Sequence, residues 1–269
     1  MLIFVLQNKM SAQDLLNLLD VVYYLFIVSG LLIGAYLVFK RLVFFGYNKR
    51  KAADFIVISY LLTIPAAYLS SRLANIFYYP YRLWDFNFFI EKTFYTKVHT
   101  FHAAIILPII VISVLTIVYH FNYKKTADTF FLYFPLVHAI GRTGCLFVGC
   151  CWGHNITIPI FDSDYMITNP VPLYAIFVNI ILFLFLRRCY NRIYNFENMK
   201  NLRGSIIALY LGLYGIIRLA FEYARKERIV AMGLTQAQMV MVGFIIISCM
   251  ILIAIYKKNN ADFLIMKRR

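Results

Sequence analysis

Charge is what this sequence has least of. Asp, Glu, Lys and Arg make up 14% of its 269 residues, where an ordinary globular chain carries about a quarter. That shortfall excludes a water-soluble globule. Acidic residues are scarcer still, 12 against 27 basic ones. No glycine-serine linker, soluble-domain stretch or heptad repeat is present, so neither tethered domains nor a coiled coil is expected. Paired C-x-x-C spacing is also missing, which removes the strongest signature of a zinc site. The apolar start Met1 to Leu6 is short, lacks a basic leader and is followed by polar sequence without a small-residue cleavage site, so no cleaved signal peptide is expected.

What the chain does have is apolar length. Hydrophobic residues make up 62% and aromatics 18% of it. A helix needs about 20 apolar residues to cross a hydrocarbon core of about 30 Å, and seven runs qualify: Leu19 to Lys40, Asp54 to Ala74, Thr100 to Tyr119, Thr129 to Cys150, Val171 to Arg188, Gly204 to Tyr223 and Gln236 to Tyr256. The expected fold is an all-α polytopic membrane protein with about seven transmembrane helices, forming one integral-membrane domain over residues 1–269.

Basic residues orient it. Seventeen of the 27 fall in one alternating set of connecting segments, among them Lys40, Arg41, Lys49, Lys124, Lys125, Arg203 and Lys257, and eight fall in the other set. Lys and Arg collect on the cytoplasmic side, which puts the N-terminus outside and the C-terminus in the cytoplasm. The net charge of +15 is mostly this cytoplasmic excess, attracted to an anionic leaflet. It does not call for nucleic acid.

Two outer segments have their own character. Ser11 and Asp14 form a capping-box pattern ahead of Leu15, Leu16, Leu18 and Leu19, which predicts an interfacial amphipathic helix over residues 1–18. "NIFYYPYRLWDFNFF", within an outer segment spanning 75–98, reads as an interfacial aromatic belt or as an arm or lid over a lipid site.

Two basic residues belong to neither loop set. Arg142 and Arg218 lie within spans, toward the outer ends, where an unpaired cation is costly and an ionisable residue is a functional candidate. Tyr214, Arg218, Glu222 and Arg225 recur at steps of four, four and three, one face of a helix, so Glu222 can orient the arginines. Arg142 opens "GRTGCLFVGCCWG", whose glycines allow close approach of a backbone or ligand. Guanidiniums match phosphate oxygens, and two of them from different helices suit a phospholipid head group in the outer leaflet.

His99 and His102, three apart in "KVHTFHAA", are candidates to take a proton near neutral pH. Cys145, Cys150, Cys151 and His154 could bind metal or form a disulfide, but small-residue packing ranks above either, and no metal or cofactor is expected. Cys189 and Cys249 read as inert. Three readings stay open on the residues alone: an outer-leaflet phospholipid site that does chemistry, a cysteine-based redox or metal-linked membrane enzyme, and a non-catalytic lipid-binding or transport protein.

The glycine-arginine opening of "GRTGCLFVGCCWG", the "YGIIRLAFEYAR" helix, "NPVPLY", "RGSIIALY" and "GLTQAQ" together resemble, in order along most of the chain, the prolipoprotein diacylglyceryl transferase family. The resemblance implies an enzyme of the bacterial cytoplasmic (inner) membrane, its site facing the outer side. Such an enzyme moves the diacylglyceryl group of phosphatidylglycerol to the cysteine thiol of a prelipoprotein, or to another envelope acceptor, and releases glycerol phosphate. It makes Arg142 and Arg218 the phosphate-binding arginines and His102 the essential histidine. Glu222 and Arg225 match the charged positions that follow, Gly144 and Gly153 match signature glycines, and Tyr24 matches a tyrosine of the first span. Cys145, Cys150, Asn169, Pro172 and Ala175 replace the family's asparagine, glutamate, histidine, glutamine and second glutamate, and Ala103 and Ala104 replace the glycines after the histidine.

Overall fold

The structure is a computed structural model and describes residues 12–73, 103–160, 163–222, 229–231 and 233–267. Among the described residues seven α-helices follow one another: α1 Ala12–Phe44, α2 Lys49–Leu73, α3 Ile106–Val118, α4 Tyr123–Val148, α5 Val171–Asn195, α6 Ser205–Glu222 and α7 Gln236–Lys267. Six are long and apolar enough to cross a membrane, and α3 is apolar but shorter. This is the all-α polytopic membrane architecture that the apolar runs imply. The aromatic segment 75–98, and residues 100–102 of the third run, lie outside the described residues, as do residues 1–11. From Ala12 the chain is helical without a break into the first span.

Exposed Leu25, Leu32, Tyr36, Leu61 and Ile253 cover the outward helix faces, the pattern of helices that meet lipid rather than water. Inside, α4 is central and contacts α1, α3, α5 and α6. Small residues bring it close to α1. Gly30 and Gly34, one helical turn apart, lie against Val137, and a Cβ on Gly34 would come within 2.6 Å of the Val137 side chain. From the other side a Cβ on Gly144 would meet the Tyr23 carbonyl oxygen at 3.2 Å. Close backbone approach of this kind drives helix pairing in membranes, where no hydrophobic effect operates between helices. α6 and α7 pair similarly, and Ser248 Oγ donates to the Ala208 carbonyl at 2.7 Å.

Asp128 fastens one end of the bundle. Its carboxylate, 0% exposed, accepts from the backbone amides of Gly204 (2.7 Å) and Ile206 (3.0 Å) and from Tyr194 Oη (2.9 Å). The first amides of a helix have no intrahelical acceptor, and here a side chain from α4 supplies it for α6. Arg41, Lys124, Lys125 and Arg203 gather at this same end, in rings of aromatic contacts such as Arg41 over Tyr190 at 4.9 Å.

β1 Asn155–Ile160 pairs antiparallel with β2 Ser163–Thr168, and the short strands β3 Ile229–Ala231 and β4 Leu234–Thr235 pair before α7. Both hairpins stand at the end of the bundle opposite Asp128.

Candidate functional site

Arg142 comes from the last turns of α4 and Arg218 from the last turns of α6. With His138, Ala175, Asn179 and Tyr214 they line one recess of about 20 Å³, room for about one water-sized group. Arg218 is buried (4% exposed). Its Nη1 donates to Glu222 Oε2 one turn along, the pairing the i, i+4 spacing predicts.

Glu222 is itself held. Thr235 Oγ1 donates to its Oε1 at 2.7 Å. Thr235 also caps α7: its Oγ1 accepts from the Gln238 amide (3.2 Å), and Gln238 Oε1 accepts from the Thr235 amide (2.9 Å). This is a reciprocal capping box, and it gives "GLTQAQ" a physical meaning. The cap fixes a hydroxyl that fixes a carboxylate that orients a guanidinium. Among the described residues the arrangement counts two guanidiniums and one carboxylate, and Ala175 lines the recess beside them.

Arg142 Nε donates to His138 Nε2 at 3.1 Å. A guanidinium cannot accept, so Nε2 carries the lone pair and the ring proton sits on Nδ1. The His138 ring meets Tyr214 edge-on (5.7 Å), and Tyr214 stacks on Tyr210 (5.4 Å). Sequence reasoning missed His138 and Asn179. The signal was there, a polar residue one turn before Arg142 and another inside the apolar fifth run.

A second, larger cavity of about 640 Å³ lies among α1 to α4, within the roughly 300–1,000 Å³ range of small-molecule sites. Its walls are mostly apolar, with Ile27, Val38, Ile109 and Phe134 among them, and it ends at Tyr23, His138, Arg142, Cys145 and Cys151. Arg142 and His138 thus belong to both spaces, whereas Arg218 belongs to the recess. Apolar chains fit the large cavity and an anion fits its Arg142 end.

The three clustered cysteines stand at that end. Gly149 closes α4 in the left-handed conformation (φ 73°), a position that favours glycine, and the Cys150 amide returns to the Cys145 carbonyl at 3.1 Å. Cys151 is left-handed too (φ 63°), which is uncommon without glycine. Cys145 is buried, Cys150 half-buried and Cys151 exposed. Burial, and then the charge of neighbouring Cys151, pushes the Cys150 thiol above its ordinary range.

The remaining predicted residues fall as follows. Tyr24 points away from the cavity (63% exposed), whereas its neighbour Tyr23 lines it. Gly144 serves helix contact with α1. Gly153 sits at the foot of the first hairpin, where its amide donates to the Asn169 carbonyl (2.9 Å) and the Asn169 amide returns to His154 (3.0 Å). His99, His102 and Arg225 lie outside the described residues. Tyr214, Arg142, Arg218 and Glu222 come together, and Cys145 joins them through the large cavity.

Residues 15–254 match the family model described as prolipoprotein diacylglyceryl transferase. Proteins named phosphatidylglycerol–prolipoprotein diacylglyceryl transferase are similar to it in sequence. That of Dehalococcoides mccartyi is 32% identical over 152 residues, 52% of this chain and 54% of the relative. That of Finegoldia magna is 30% identical over 159 residues, 59% and 61%. That of Clostridioides difficile is 24% identical over 251 residues, 90% and 94%. The chain thus spans a little over half the length of the first two and nearly all of the third.

Proposed function

The chain belongs to the prolipoprotein diacylglyceryl transferase family, and on that premise we propose that it transfers the diacylglyceryl group of phosphatidylglycerol to a thiol acceptor, a prelipoprotein cysteine. The observation that carries this reading is the convergence of Arg142 and Arg218 on one recess at the end of an apolar cavity. The donor's chains take the cavity and its phosphate takes the arginine end.

Alkyl transfer from a phosphodiester needs an activated nucleophile and stabilisation of the departing phosphate. Arg142 and Arg218 supply the second, pre-oriented by His138 and Glu222. At about 20 Å³ the recess takes a phosphate oxygen or a water rather than a whole phosphate. The phosphate therefore docks on Arg142 and sends one oxygen toward Arg218 in the recess. Tyr23 and Tyr214 border this path and Cys145 lines it. By the family pattern His102 is the essential histidine and Arg225 a substrate-binding residue.

One integral-membrane domain accounts for the chain, in the bacterial cytoplasmic membrane with the site facing outward. The gathering of basic residues at the Asp128 end, opposite the arginine recess, supports that orientation.

The test is turnover. Purified protein in phosphatidylglycerol micelles with a lipobox peptide is expected to give a peptide heavier by one diacylglyceryl group, together with glycerol phosphate. Lipid consumption with the peptide unchanged would move the acceptor to another envelope molecule, and no consumption would refute the transferase.

A further inference from the structure

We propose that Cys145, Cys150 and Cys151 form a three-thiolate site for a thiophilic divalent cation of the zinc type, with a fourth coordination position opening onto the large cavity beside Arg142. The three sulfurs lie within 4.8 Å of one another. Zinc–thiolate bonds of about 2.3 Å place tetrahedral sulfurs about 3.8 Å apart, so closing the set takes shifts of about 1 Å, within the reach of side-chain rotation. The linear spacing hides this site, because Cys145 and Cys150 are five apart and Cys150 and Cys151 are adjacent. The left-handed turn at Gly149 and Cys151 folds the last two back over the first.

Packing accounts for Cys145, which is buried, but not for Cys151, which is exposed. Nor does packing account for a left-handed backbone at a non-glycine residue, a strained geometry that concentrates at functional sites. A disulfide would use two of the sulfurs and leave the third over. A cation uses all three and neutralises most of the charge that three adjacent thiolates create.

Cys145 and Cys151 line the same cavity as Arg142, and three ligands leave a zinc ion one open position. Resting on the transferase reading above, that position suits the acceptor sulfur. A thiol that coordinates there loses its proton to solvent. Its lone pair then forms the carbon–sulfur bond as the glycerol carbon–oxygen bond breaks, and the electron pair leaves on the phosphate oxygen as glycerol phosphate. No atom changes oxidation state through the metal.

The test uses the full chain in detergent, reduced and freed of reductant, titrated with cadmium alone. One equivalent is expected to raise the ultraviolet thiolate-to-cadmium charge-transfer absorption. It should also slow alkylation of Cys145, Cys150 and Cys151 at least tenfold, with Cys189 and Cys249 unaffected. The Cys150→Ser/Cys151→Ser variant should lose the absorption while keeping its circular dichroism. Adding a lipobox peptide should increase the absorption, and its Cys→Ser counterpart should not. Unchanged alkylation with cadmium, or two of the thiols recovered as a disulfide, overturns the site. Absorption indifferent to the peptide overturns the acceptor role. Glycerol phosphate release, measured separately, decides the transferase reading: cadmium binding without release refutes that reading and leaves the metal site standing.

Discussion

Thr235 donates a hydrogen bond to Glu222 across the junction of α6 and α7, 2.7 Å from hydroxyl to carboxylate. The contact joins a helix cap to a charged site. Thr235→Val removes both the cap and the donor, so stability should fall by about 1–3 kcal/mol, and turnover should fall with it because Glu222 loses its anchor. Thr235→Ser keeps the oxygen and should restore both. Thermal unfolding and lipid turnover on the same preparations check the pair.

His138 positions Arg142 by accepting from its Nε. His138→Ala should lower turnover by about 10–100-fold, the range of a lost hydrogen bond to a charged group at about 1.5–3 kcal/mol. His138→Gln offers an amide oxygen to the same guanidinium and should recover most of it. Rescue by Gln separates an acceptor role from proton transfer, which Gln cannot perform.

The two arginines should respond differently to removal. Arg142 is half-buried, and Arg142→Ala should abolish turnover while the fold persists. Arg218→Ala strands Glu222 in a buried setting, which costs about 3–5 kcal/mol of stability. Arg218→Lys keeps the charge and the fold but not the planar fork that matches phosphate, so turnover should drop with little change in melting temperature.

Asp128 reports on the fold alone. Asp128→Ala leaves the first amides of α6 and the Tyr194 hydroxyl without their acceptor, for a loss of about 2–4 kcal/mol. The site lies at the other end of α4, so turnover per folded molecule should stay near wild type. A large drop in that specific turnover would show the two ends to be coupled.

What the sequence carried clearly was local. Helical spacing alone paired Arg218 with Glu222 and put Tyr214 on their face, because i, i+4 neighbours need no tertiary information. The apolar runs marked the spans for the same reason. Residues whose roles depend on the neighbouring helix stayed hidden. Tyr23 and Tyr24 differ by 100° around α1, and only the packing of α1 on α4 decides which meets the cavity. Asp128 reads as a stray charge until α6 arrives above it, and the cysteines converge only through a left-handed turn. The hairpin at 155–168 was legible in principle, since the alternating Ile and Thr of Asn155–Ile160 are a strand signal that the surrounding apolar runs outweigh.

The most direct measurement is equilibrium binding of phosphatidylglycerol to the wild-type protein and to Arg142→Ala, with zwitterionic phosphatidylcholine as reference lipid. A phosphate held at the shared wall of recess and cavity predicts one phosphatidylglycerol per chain, preferred over the reference lipid, with affinity at least tenfold weaker in Arg142→Ala. Equal affinity in the two proteins, or no preference between the lipids, would contradict it.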